Sequence, residues 1–138
     1  MFYFLLLRLY VPFIVAGVVP LSVNLLGQLR SVNLMANRLA GTLPSFTTTL
    51  SKLQYLNVGS NSITGSVPSS IVLLNSLTGL SLASNSLTGS LPSALGQIGG
   101  LSLLAFARNR LQGSIPQSLS LMTSVTMTFL SFNSFTGS

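Results

Sequence analysis

Asparagine returns every 24 residues along this chain, at Asn37, Asn61, Asn85, Asn109 and Asn133. A glycine follows four residues after each, at Gly41, Gly65, Gly89, Gly113 and Gly137, and the first four glycines are followed three residues later by Pro44, Pro68, Pro92 and Pro116. A period held jointly by a polar, a turn-forming and an imino-acid position restricts the chain to stacked copies of one supersecondary unit. In such a stack each unit buries its apolar residues against its neighbours, and no single centre organises the core.

The apolar residues keep the same phase. In the central repeat Leu80 and Leu82 flank Ser81, the two-residue alternation of a short strand with one buried face. Val32 and Leu34, Leu56 and Val58, and Leu104 and Phe106 occupy the same places in their repeats. Stacking therefore predicts parallel strands about 4.8 Å apart in one continuous sheet. After the proline the apolar spacing widens to three, as in Pro92-Ser93-Ala94-Leu95-Gly96-Gln97-Ile98, which predicts one or two turns of helix with proline tolerated in the first turn. Glycine suits a bend that needs positive φ or close backbone approach. Thr47 and Thr128 interrupt otherwise apolar columns.

The asparagines lie on the inward side with the leucines. An unpaired amide there costs about 1 to 3 kcal/mol. Bonding to backbone groups of its own and adjacent coils removes that cost and makes Asn37, Asn61, Asn85, Asn109 and Asn133 a structural ladder that fixes the turn.

These residues resemble the plant-specific leucine-rich repeat, whose pattern runs LxxLxLxxNxLxGxIPxxLxxLxx; here Leu77 to Gly100 reads LTGLSLASNSLTGSLPSALGQIGG. The resemblance covers residues 25 to 138, about five repeats with the last incomplete. It implies an α/β repeat solenoid with short parallel strands on a concave face, 3₁₀ or short helical turns on a convex face, and a second short sheet near the Thr/Ser-Gly segment. It also implies a fragment of a plant receptor-like kinase or receptor-like protein ectodomain, a non-catalytic module recognising a protein or peptide ligand, with a co-receptor among its candidate partners. The implied location is the secretory pathway or plasma membrane, on the extracellular face. A truncated structural remnant of a receptor gene, with no ligand of its own, is the alternative. The paired cap cysteines of the family are absent, as is an Asn-x-Ser/Thr glycosylation site.

Composition narrows the chemistry. The sequence contains no Asp, Glu, His or Cys, so the usual acids and bases, metal ligands, thiol nucleophile and disulfides are missing. No cofactor or metal is expected. Ser51 precedes Lys52, but adjacent side chains point in different directions, and no oxyanion motif accompanies them. The formal charge of +6 reflects missing acids, and Arg8, Arg30, Arg38, Lys52, Arg108 and Arg110 are too scattered to track a phosphate backbone, so nucleic acid is not an expected partner.

Residues 1 to 24 form a separate apolar segment, and 2 to 19 read FYFLLLRLYVPFIVAGVV. Its length suits a signal peptide or membrane anchor, through which membrane association would arise, although Arg8 and Pro12 interrupt it. A degenerate repeat is the competing reading. Val15, Gly17, Val19 and Pro20 lie 24 residues before Leu39, Gly41, Leu43 and Pro44, Phe13 stands in the asparagine's place, and Leu9 to Phe13 fit better one residue later.

On a solenoid the outward-facing strand positions make the ligand surface. The candidate binding residues are Asn33, Met35, Tyr55, Asn57, Ser81, Ala105, Met127 and Phe129. Tyr55 beside Asn57, and Met127 with Phe129, are the only groupings with anchor-like chemistry.

Overall fold

The computed structural model describes residues 8–10 and 16–137. Phe13 and most of the apolar run over residues 2 to 19 lie outside the described residues, so the expectations placed on them carry no structural account. Among the described residues eleven short strands alternate with 3₁₀ turns. The principal sheet is parallel and six-stranded, in the order β1 (Arg8–Tyr10), β3 (Ser31–Asn33), β5 (Tyr55–Asn57), β6 (Gly79–Ser81), β8 (Leu103–Ala105) and β10 (Met127–Phe129). Ser31, Tyr55, Gly79, Leu103 and Met127 face one another in register, the sequence period carried directly into strand pairing. At the first pair the step is shorter, with Arg8 opposite Ser31.

Each strand of this sheet is three residues long, and from β3 to β8 its central side chain is buried in the stack. Leu56, Leu80 and Leu104 fill that place and are almost fully buried. A second, narrower set of strands runs along the flank. Here β2 (Ala16–Gly17) pairs with β4 (Arg38–Leu39), and β7 (Thr88–Gly89), β9 (Arg110–Gly113) and β11 (Ser134–Phe135) form a parallel trio. Bridges at Thr42–Thr64 and Ser66–Thr88 connect coils in the same region. Gly65 turns here with φ +77°, and an added Cβ would come within 2.8 Å of the Thr42 methyl, so both conformation and space call for glycine.

The convex turns are 3₁₀ segments at Leu21–Leu25, Thr48–Leu50, Ser69–Leu73, Leu95–Gln97 and Gln117–Leu121. Proline stands just before the turn in three of them, extended, and its carbonyl receives the first bond: Val23 N–H donates to Pro20 O at 3.1 Å, Ile71 to Pro68 at 3.0 Å and Leu119 to Pro116 at 3.0 Å. Runs this short close with i→i+3 bonds and leave no room for a helix to propagate.

The core is a continuous column of leucines with Phe106 among its fully buried side chains. Sequence periodicity misplaces Phe46, and Ile115, in the column that Leu43, Val67 and Leu91 fill as buried residues, is 50% exposed. Thr47 is the extended residue before the Thr48–Leu50 turn and is exposed, whereas Phe46, one position earlier, is 4% exposed and fills the column. The later start of this turn rotates the preceding residue inward.

Candidate functional site

The asparagine side chains set the shape of the surface. Asn85 Nδ2 donates to Leu82 O at 3.1 Å and Ala83 O at 3.4 Å in its own coil and to Val58 O at 3.1 Å in the preceding one, while its Oδ1 accepts the Ile63 N–H at 3.0 Å. The pattern recurs at Asn61, Asn109 and Asn133. Asn37 Nδ2 donates to Leu34 O at 2.9 Å and Met35 O at 3.3 Å. Among the described residues no buried side-chain nitrogen or oxygen lacks a partner.

These bonds gather the carbonyls at the end of each strand and bend the chain there. The residue before each asparagine takes up left-handed backbone with φ between 54° and 57°, at Ala36, Ser60, Ser84, Arg108 and Phe132. Such a conformation is disfavoured for residues with a Cβ, and here the amide bonds on either side hold it. Sequence reasoning assigned positive φ to glycine alone. The occupants of this column share no chemistry, so nothing in their identities marks it.

The open face of the principal sheet changes character along its length. In register from β3 to β10 it carries Ser31 and Asn33, Tyr55 and Asn57, Gly79 and Ser81, Leu103 and Ala105, then Met127 and Phe129. The first three pairs are mainly polar and the last two apolar. Tyr55 is the most constrained of these residues. Its ring occupies the space left by Gly79, where an added Cβ would fall 2.6 Å from Tyr55 Cδ2. Its phenol oxygen accepts Asn57 Nδ2 at 3.2 Å, and Asn57 Oδ1 accepts the Gly59 N–H at 2.9 Å.

Two candidates offer less surface than their strand positions imply. Asn57 is 6% exposed because its amide folds back onto Gly59 and toward the Tyr55 phenol. Ala105 is 7% exposed, its methyl being too short to rise past the flanking strands, where Phe129 is its register partner. Asn33 is half-buried with Oδ1 accepting the Met35 N–H at 3.2 Å, Ser81 is half-buried, and Met35, Met127 and Phe129 are exposed.

Met127 and Phe129 sit on an ordered coil. Strand β10 pairs fully with β8, and Asn133 Nδ2 bonds to Phe106 O and Leu130 O at 3.0 Å each. Two neighbouring residues escaped the sequence-based selection. The Arg108 guanidinium lies 5.0 Å from the centroid of the Phe132 ring, and Phe132 is 72% exposed. Their position immediately before an asparagine was the available signal. Lys52 lies elsewhere and donates to Gln28 Oε1 at 2.7 Å, away from any pairing with Ser51.

The profile of a family described as leucine rich repeat matches residues 27–87. No match was found among curated protein sequences. Among solved structures, the ectodomain of the plant membrane receptor kinase GASSHO1/SCHENGEN3 from Arabidopsis thaliana, in complex with CASPARIAN STRIP INTEGRITY FACTOR 2, is 34% identical with a TM-score of 0.87 over 90% of this chain. The Arabidopsis receptor kinase HAESA, in complex with the peptide hormone IDA and the co-receptor SERK1, is 35% identical with a TM-score of 0.86 over 91%. This chain spans 15% and 21% of those two receptor chains. The Arabidopsis BIR3–SERK2 complex is 33% identical with a TM-score of 0.75, over 88% of this chain and 64% of that one.

Proposed function

We propose that this chain, which belongs to the leucine-rich repeat family in its plant-type form, is a non-catalytic recognition module that binds a protein or peptide along its concave sheet. The observation that carries the reading is Tyr55. An aromatic ring held flat against the sheet by a glycine, with its hydroxyl locked by a neighbouring amide, offers contact area without losing rotamer freedom on binding. The resemblance to receptor ectodomains solved with peptide ligands and a co-receptor supports the same class of partner and an extracellular setting.

In this proposal the segment over residues 1 to 24 is a degenerate repeat, and the support comes from those of its residues that the structure describes: β1 and β2 pair with their successors, and Gly17 carries positive φ as the later turn glycines do.

Panning a displayed random-peptide library on the folded protein tests the recognition reading. Selected peptides should lose binding to Tyr55→Ser or Phe129→Ser and keep it with the convex variant Gln117→Ala. Selection of no peptide, or peptides indifferent to both concave changes, sinks the proposal and favours a structural remnant without a ligand.

A further inference from the structure

The last two coils combine three features found together nowhere else among the described residues: exposed large apolar side chains, an ordered backbone beneath them, and a guanidinium already oriented. Met127, Phe129 and Phe132 are 50%, 49% and 72% exposed. Their coil is held in register by β8 and by the Asn133 amide. An apolar cluster on an ordered surface marks an interaction site.

Charge indicates what the site would receive. The sequence has six Lys and Arg residues and no Asp or Glu, so no side chain within these 138 residues supplies a carboxylate to Arg108. Arg108 instead stacks on Phe132. A guanidinium lying over an aromatic ring keeps N–H donors for another partner, and its planar fork can receive a carboxylate through two parallel hydrogen bonds. Left-handed backbone at both Arg108 and Phe132 places the pair at the corner where the chain leaves the concave sheet, next to the strand that presents Phe129.

We infer that Arg108, Phe132, Phe129 and Met127 form a docking corner for a peptide segment of a partner protein that carries a carboxylate side chain beside a large apolar one. The apolar residue covers Met127 and Phe129, and the carboxylate meets the Arg108 edge. This inference rests on the recognition reading above and assigns it a subsite and a ligand chemistry.

Two matched pools of short immobilised peptides test it. One combines Asp or Glu with Leu, Ile or Phe; the other is identical except for Asn and Gln in place of the acids. Binding is read by biolayer interferometry, with circular dichroism to verify that each variant is folded. Wild-type protein should bind the acidic pool about fivefold more tightly, the upper end for a solvent-exposed pair. Arg108→Gln and Phe132→Ser should remove that preference, and Phe129→Ser should weaken both pools. Tyr55→Ser should leave the preference intact.

Equal binding of the two pools by the wild type, or a preference that survives Arg108→Gln, overturns the inference. Binding that is lost only with Tyr55→Ser overturns it while preserving concave recognition in general. Failure to bind either pool also overturns it. Release of the acidic pool by inorganic phosphate as complete as that caused by amide replacement reassigns the corner to a bare anion.

Discussion

Removing one rung of the asparagine ladder has a cost that follows from who shares each bond. In Asn85→Ala the Nδ2 bonds to Val58 O, Leu82 O and Ala83 O disappear along with the acceptor for Ile63 N–H. The three carbonyls keep other donors: Asn61 Nδ2 still reaches Val58 O at 2.9 Å, Asn109 Nδ2 reaches Leu82 O at 3.0 Å, and Ser60 N–H reaches Ala83 O at 2.9 Å. The single group left without its partner is the amide of Ile63, a residue 1% exposed. One orphaned buried amide predicts a loss of about 1 to 3 kcal/mol, whereas Ser86→Ala should stay within about 0.5 kcal/mol.

The double variant Asn85→Ala with Asn109→Ala goes further, because those are the two amides that donate to Leu82 O. Its cost should exceed the sum of the single changes by about 1 to 3 kcal/mol, the added term being the newly orphaned carbonyl. Asn61 and Asn133 share no carbonyl and no amide, so their double variant should be additive within about 0.5 kcal/mol. Urea unfolding of the single and double variants measures both cycles, provided the slope with denaturant is unchanged. Hydrogen exchange at Ile63 N–H reports the local opening independently. Additivity in both pairs, or equal costs for Asn85→Ala and Ser86→Ala, would refute the shared-carbonyl account.

Phe46→Ala should destabilise by about 3 to 5 kcal/mol through loss of a buried ring, while Thr47→Ala is expected to be near neutral; a larger cost at Thr47 in the same denaturation assay would contradict the core assignment. Gly96→Ala introduces a Cβ that would overlap the Ser118 carbonyl on the next coil, so separation of the convex turns should cost at least about 1 to 3 kcal/mol. A melting temperature equal to that of the unsubstituted protein would show that these turns are not in close contact.

Legibility from sequence varied with how local the deciding physics was. Strands and turns were readable because each depends on a few residues in one repeat, and repetition copied the signal. The convex segments were expected as 3₁₀ or short helical turns and are 3₁₀ turns, three of them directly preceded by proline. Phe46 eluded the periodic reading because its burial depends on where the Thr48–Leu50 turn begins. On the candidate site, alternation identified which strand positions face outward but not how much of each remains visible. Asn57 is withdrawn by bonds to Tyr55 and Gly59, and Ala105 lies low beside Phe129. Arg108 and Phe132 come together only because two positions 24 residues apart are stacked on adjacent coils.

The sequence by itself determined the repeat, the parallel stacking, the inward column of leucines and the lack of Asp, Glu, His and Cys side chains. The first three follow from residue identity at a fixed period. Tertiary structure alone decided which amide donates to which shared carbonyl, that a left-handed corner precedes each of the five ladder asparagines, and that Tyr55 lies across Gly79. The physical reason is that these features are contacts between coils: they depend on distances across the stack, and the residue types on either side leave those distances open.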